Sequence, residues 1–280
     1  MSSANVAASR ARSSPLRRLA SIGRPVLLVL MYIMVWYGAT LLIGPLRVPA
    51  PWTVLYKSLT MLVSIPQLRS IPNAGYNLLP HLTSTVVRYV IGVAIGAPLG
   101  IVVGLSMGWS RTVNDLVRAP LELVRVTPPL VALPFCLLWF GSGEMSKVFL
   151  IASYCFLILV INTFTVIQNV PLVYSRFART LGATPAHVYL TVILPASVPG
   201  IIGGVRVVMA FAWGLEIVGE LMGGQFGLGR LAMIFMSYFS PESLMAVMVW
   251  IILVGICIDR LVYAVLRHVT RWMPEASHIG

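Results

Sequence analysis

Charge is scarce in this chain, and acid is scarcest: eight Asp and Glu stand against twenty Lys and Arg in 280 residues, so charged side chains make up only 10%. A soluble domain carries about 25%, and that class is excluded. Lysine is nearly absent. Lys57 and Lys147 are the two present and neither follows a glycine, so there is no G-x-x-x-x-G-K-[ST] loop to cradle a nucleotide on this polypeptide. Cys136, Cys155 and Cys257 all fall inside apolar runs, with no C-x-x-C and no neighbouring histidine. That excludes a disulfide framework and a zinc site and leaves packing as their role. The four histidines are scattered and there is no H-E-x-x-H, so neither catalytic nor metal-binding residues, and no cofactor on this chain, are expected.

What is abundant is apolar surface. Hydrophobic residues reach 58% and mean hydropathy is +0.91, the signature of a polytopic membrane protein. The net charge of +12 would suggest nucleic acid in a soluble protein. Here arginines anchoring loops against anionic lipid explain it, and no nucleic-acid partner is expected.

Six apolar spans are predicted, giving an all-α integral membrane fold. Residues 1–24 are a basic, acid-free tail, and residues 25–43 form the first span, close to the roughly 20 residues a bilayer requires. Residues 44–80, rich in proline, form an extramembrane segment. The other five spans and their loops occupy residues 81–270: Leu82–Ser106, Leu121–Phe140, Lys147–Gln168, Ser197–Met222 and Leu244–Leu266. Residues 271–280 are a second tail. A cytoplasmic N-terminus puts Arg47, Lys57, Arg69, Lys147 and Arg230 outside and most remaining arginines inside, as the positive-inside rule requires. Both termini are then cytoplasmic.

Three stretches stand out. Gly92, Gly96, Gly100 and Gly104 (with Gly108 beyond) recur every fourth residue of the second span, an extended G-x-x-x-G surface for close helix packing. Thr127-Pro128-Pro129 and Pro134 interrupt the third span, so its freed carbonyls should be buried in protein or face a wet cavity. Residues 171–195 read as a polar hairpin: a helix from Pro171, a left-handed cap at Gly182, and a fresh start with Thr184 as N-cap and Pro185 at N1. Pro195 and Pro199 are expected to bend its exit. By the charge rule it lies in the cytoplasm, available to dock a protein.

Ionisable residues inside spans are the remaining leads. Glu216 and Glu220 share a helix face, four residues apart. Arg206, Trp213 and the two acids either line a solute path that favours anions, or leave Arg206 holding inter-helix carbonyls and the acids in a wet vestibule. Asp259 reads as an anchor, and Asn162 and Thr163 as hydrogen-bonding between helices.

The hairpin also carries a resemblance. Ala178-Arg-Thr-Leu-Gly182-Ala183, Ile193-Leu-Pro195 and Gly203-Gly-Val-Arg206 are similar to the EAA region of binding-protein-dependent ABC importer permeases, over about residues 80–270. Pro128-Pro129-Leu-Val-Ala-Leu-Pro134, Leu138-Trp-Phe-Gly141, Gly143-Glu-Met-Ser-Lys147, Ala212-Trp213 through Glu220 and Gly227-Leu-Gly229 resemble its nitrate/sulfonate/taurine branch. The resemblance implies a type I importer permease fold, a second permease copy, and a cytoplasmic ATPase dimer that carries ATP and Mg. It also implies an extracytoplasmic solute-binding protein and a small, anionic solute. It makes Ala178, Gly182, Leu194 and Pro195 the ATPase-coupling core, with Arg176, Arg179 and Thr184, Pro185, His187 and Val188 as contact surface. Where the family most often has glutamate, six residues before the glycine, this chain has Arg176. A scaffold or regulator that docks a cytoplasmic partner through 171–195 without transporting is the alternative. A secondary transporter is disfavoured, since no inverted repeat is evident.

Overall fold

A computed structural model describes residues 15–71 and 75–269, with side chains from residue 27 to 268. Of the tail predicted over residues 1–24, residues 1–14 lie outside the described residues and residues 15–24 are the first turns of the first helix; the tail over 271–280 lies outside the described residues. Ten α-helices and one 3-10 helix (Pro66–Ser70) run among the described residues, with no strand: α1 (Pro15–Ile43), α2 (Pro51–Thr60), α3 (Leu79–Trp109), α4 (Arg111–Arg125), α5 (Pro129–Phe140), α6 (Glu144–Gln168), α7 (Leu172–Thr180), α8 (Pro185–Met222), α9 (Leu228–Ser237) and α10 (Pro241–Val269).

The pair α3–α6 is the spine, and the glycine stripe is the reason. A Cβ added at Gly92 would lie 2.7 Å from the Ile151 side chain, one at Gly100 2.7 Å from the Phe156 carbonyl, and one at Gly104 2.7 Å from Thr163. At Gly96 the obstacle is the backbone of Ala152 itself. Backbone-to-backbone approach of this kind maximises van der Waals contact where lipid removes the hydrophobic drive. α8 lies across the same pair, burying Val208 and Ala212 against Tyr89, Val93, Ile151 and Cys155. A second core forms where α9 and α10 meet α2: Leu228, Leu231 and Phe235 pack with Val54, Met61, Ile65, Leu68 and Val247. The described part of the extramembrane segment predicted over 44–80 thus forms a packed cap on α9 and α10, pinned by Trp250 Nε1 donating to the Ser58 carbonyl at 3.0 Å.

Among the described residues, four helices are long and apolar enough to cross a membrane: α3, α6, α8 and α10. The predicted third span, Leu121–Phe140, is not one helix. Its first residues belong to α4, which also takes up the predicted loop before it, and α5 leaves α4 at 96° across Val126-Thr127-Pro128. Two prolines in succession cause the break. Residue 127 is driven from helical geometry by Pro128, and Pro129 then supplies a preset first turn for α5. Counted as one broken span, α4–α5 makes five. The apolar part of α1 within the described side chains, Leu27–Ile43, is shorter and leaves Leu27, Leu28, Met31 and Met34 exposed.

The fifth span differs as well. The helix runs unbroken for 38 residues from Pro185 to Met222, through Pro195 and Pro199. A π-turn over Tyr189–Ile193 makes this possible. Pro195 cannot donate to the residue four back and its ring crowds that carbonyl, so the ladder widens just before it, with Leu194 N–H donating to Tyr189.

Candidate functional site

Three groupings carry polar chemistry, and they lie in different places. The first is a buried cluster at one end of the bundle. Arg88 of α3, 1% exposed, extends into the α6–α8 seam. Its guanidinium donates to Glu220 Oε1 at 2.7 Å, to the Phe226 carbonyl at 3.0 Å and to both carboxylate oxygens of Glu144. Glu220 accepts in addition from Thr85 Oγ1 at 2.7 Å and from the backbone of Gly229 at 2.8 Å. Leu228 N–H donates to Thr85 at 3.0 Å, and Gly227 N–H to His81 Nδ1 at 3.1 Å. Gly227 sits at φ +138, and a Cβ there would run into the Glu220 carboxylate, so only glycine serves. Lys147, wholly buried, donates to the Ser142 and Gly143 carbonyls at 3.1 and 3.0 Å. The cluster sews α3, α6, α8 and the Gly223–Gly229 loop into one unit.

This corrects the placement of the two acids. Glu216 and Glu220 line neither an open path nor a vestibule; they are 1% and 0% exposed. Glu216 differs from its neighbour. Its nearest cation atom is an Arg88 nitrogen at 3.7 Å, and neither of its oxygens has a hydrogen-bond partner among the described residues. Arg88, Glu144, Lys147, His81 and Thr85 were missed by sequence reasoning. The signal available was Arg88 itself, an arginine inside an apolar span, which demands buried acid nearby.

The second grouping is the hairpin. α7 ends in a complete Schellman motif: Gly182 N–H reaches the Arg179 carbonyl at 2.9 Å and Ala183 N–H the Ala178 carbonyl at 3.1 Å, with Gly182 at φ +85. Thr184 then caps α8, its Oγ1 accepting from His187 N–H at 3.3 Å, with Pro185 in the first turn. Arg176, Arg179, Gly182, Thr184, Pro185 and His187 are exposed, whereas Ala178, Leu194 and Pro195 are half-buried. Val188 was expected on the contact surface and is instead 2% exposed, turned onto the body. The hairpin is tied down by Tyr189, whose hydroxyl donates to the Leu105 carbonyl of α3 at 2.6 Å and whose ring meets Trp109 edge-on at 5.0 Å. Arg88 and Leu105 are both on α3, so cluster and hairpin are roughly 25 Å apart along one rigid helix.

The third grouping is the α4–α5 elbow, where Thr127, Pro128, Pro129 and Pro134 are all exposed. Arg206 and Trp213 are not brought to it. Arg206 pairs with Asp259 of α10 at 3.3 Å and lies over the Tyr263 ring at 5.1 Å, so it holds a carboxylate rather than backbone carbonyls, and Asp259 is its partner rather than a free anchor. Trp213 packs edge-on to Tyr89 at 5.5 Å and against Gly255. Asn162 and Thr163 also depart from expectation: Asn162 Oδ1 and Thr163 Oγ1 are buried without a hydrogen-bond partner among the described residues. The string Gly104-Leu-Ser106-Met-Gly108 spells G-x-S-x-G, but it lies inside α3 and Ser106 Oγ donates to the Val102 carbonyl at 2.8 Å. The strand-to-helix elbow that would make such a serine a nucleophile is not there.

Comparison with known proteins decides the family. The family described as "Binding-protein-dependent transport system inner membrane component" matches residues 96–273. The chain belongs to it. The taurine transport system permease protein of Escherichia coli (strain K12) is 32% identical over 267 residues, 94% of each chain. A putative aliphatic sulfonates transport permease protein of Bacillus subtilis (strain 168) is 30% identical over 261 residues, 93% of this chain and 91% of that one. A probable ABC transporter permease protein of Brucella abortus (strain 2308) is 31% identical over 259 residues, 92% and 99%. Among solved structures, the inward-facing MetNI methionine ABC transporter aligns with TM-score 0.52 at 20% identity, over 69% of this chain and 94% of that one; that likeness is one of fold. This multi-pass ABC importer permease therefore sits in the branch with taurine and sulfonate permeases, and it is a non-catalytic transport component.

Proposed function

We propose that this permease forms the transmembrane pathway of an ATP-driven importer for a small anionic solute, of the sulfonate, taurine-like or organic carboxylate class. It would act in the cytoplasmic membrane as a pair of copies, on a separate ATPase dimer that holds ATP and Mg, and receive solute from an extracytoplasmic binding protein. The observation that carries the reading is the hairpin. It is locked by a Schellman cap and a threonine N-cap, yet leaves Phe177 and Leu181 66% and 73% exposed. Large apolar side chains on a rigid, polar projection are a docking surface. Its tie through Tyr189 to α3 would carry a displacement by the ATPase into the spine of the bundle. The names of the relatives support the solute class.

The test replaces Phe177 and Leu181 together with aspartate and measures co-purification of the ATPase expressed with the permease, and ATP-driven taurine uptake in cells that also carry the binding protein. Loss of both is expected. Normal ATPase association with normal uptake would overturn the docking assignment. Uptake that is absent in the parent while the ATPase stays bound and idle would favour the non-transporting scaffold. Arg176 should face a carboxylate on the ATPase. Arg176→Glu is expected to uncouple hydrolysis from uptake, and the reverse charge change on the ATPase to restore it; failure of every such pair would remove the contact.

A further inference from the structure

Between the α4–α5 elbow and α6 lies a cleft of about 580 Å³, open on one side, lined by Arg125, Val126, Ile158, Ile161, Asn162 and Thr165. Its α6 wall is a single helix face, since 158, 161, 162 and 165 are spaced three and four apart. Three facts make it unlike an ordinary groove. Arg125 is exposed and has no ion-pair partner among the described residues, whereas Arg118, one heptad earlier on the same helix, is held by Glu122 at 3.0 Å. Asn162 lies against Gly204 of α8, where any Cβ would collide with its amide, and its buried oxygen has no partner. Thr165, exposed on the same helix face, also lines the cleft. Arg125 and Thr165 also line the adjoining cavity of about 250 Å³, with Gln168 and the paired Arg118 and Glu122. The polar wall thus continues toward the hairpin end, where Arg111 and Arg179 share a further cavity of about 640 Å³.

An exposed guanidinium in a cleft that an amide and a hydroxyl residue also line is a receptor for a compact oxyanion with a polar neighbour. We propose that this cleft is an anion-binding step on the permease's own pathway, taking a sulfonate or carboxylate group on Arg125, with Asn162 and Thr165 contacting the rest of the solute. The proposal rests on the transport reading for its purpose, but the site itself can be tested without transport.

Thr165→Cys is made in a background with Cys136, Cys155 and Cys257 replaced by serine, and the full-length permease with its ATPase is reconstituted in phosphatidylcholine vesicles. Its modification is timed with 2-sulfonatoethyl methanethiosulfonate and with the trimethylammonioethyl analogue. Placing a positive charge a few ångströms from the thiol should favour the anionic reagent, so Arg125→Gln is expected to lower the anionic-to-cationic rate ratio about tenfold and Arg125→Lys to restore most of it. Arg118→Gln is expected to change the ratio less than about twofold, because Glu122 already offsets that charge. Excess ethanesulfonate should slow the anionic reagent in the parent and not in Arg125→Gln. A ratio indifferent to Arg125 overturns the site. Labelling slowed by added phosphatidylglycerol and untouched by ethanesulfonate makes it a lipid-headgroup site and also overturns the proposal. ATP-driven taurine uptake, followed separately in cells with the binding protein, keeps the two readings apart. Charge selectivity without uptake leaves the site and removes its transport role, and uptake with no selectivity does the reverse.

Discussion

The buried cluster and the hairpin use the same residue types to opposite ends. At one end of α3, Arg88 is enclosed by Glu144 and Glu220 with Glu216 behind them. At the other end, Arg176 and Arg179 stand exposed, and no carboxylate partner is recorded for either among the described residues. The difference is what dehydration demands. A guanidinium inside an apolar seam survives only if acids and carbonyls replace its water, so that end of the chain is committed to internal structure. An arginine on a projecting hairpin keeps its water and its freedom, and its charge is available to another molecule. Satisfied charge here builds the fold; unsatisfied charge is left free to meet a partner.

The largest expected effect breaks the enclosed half of this contrast. Arg88→Met strands the carboxylates and should destabilise the permease by about 3–5 kcal/mol, seen as loss of monodisperse protein after mild heating in detergent. Arg176→Ala, at the other end, should shift the same melting curve by less than about 0.5 kcal/mol. Next comes the spine that joins the two ends. Gly96→Val drives a side chain into the Ala152 backbone and should cost about 1–3 kcal/mol or more, with α3–α6 cysteine crosslinks failing to form. Within the cluster, the two acids of α8 should separate. Glu220→Gln weakens its pairing with Arg88, Thr85 and Gly229 and should lower the melting temperature, whereas Glu216→Gln removes a carboxylate that no hydrogen bond satisfies and should leave it unchanged or raised. On the hairpin, Thr184→Ala should cost about 1 kcal/mol of local stability, visible as faster hydrogen exchange over residues 184–190 with the global melt unmoved. The smallest effect belongs to Arg206→Gln. Its half-exposed pair with Asp259 should contribute less than about 1 kcal/mol, and solute uptake should persist.

The hairpin was the most legible part of the molecule because its signals are local. A proline, a left-handed glycine and a threonine-proline start act within a few residues and need no tertiary partner. The glycine stripe was legible for the same reason: period four on one helix states that something approaches closely. The elbow was half legible. The double proline announced a break, but a window of apolar residues centred on it concealed that α4 is amphipathic and turns away at 96°. The exit at 195–199 concealed the continuity of the span, because a π-turn accommodates Pro195 without ending the helix.

Composition alone determined that this chain lives in a membrane, that it has no Walker-type phosphate loop, and that residues 171–195 form a capped projection, because these follow from counts and short-range geometry. Which charges meet which was decided only by the fold. Arg88 and Glu220 are 132 residues apart, and Arg206 could equally have faced the acids of its own helix. The packing of α3 on α6, permitted by a row of missing side chains, sets the distance at which Arg88 reaches α8. That distance buried two predicted pathway acids, while Arg125, at the elbow, lines an open cleft.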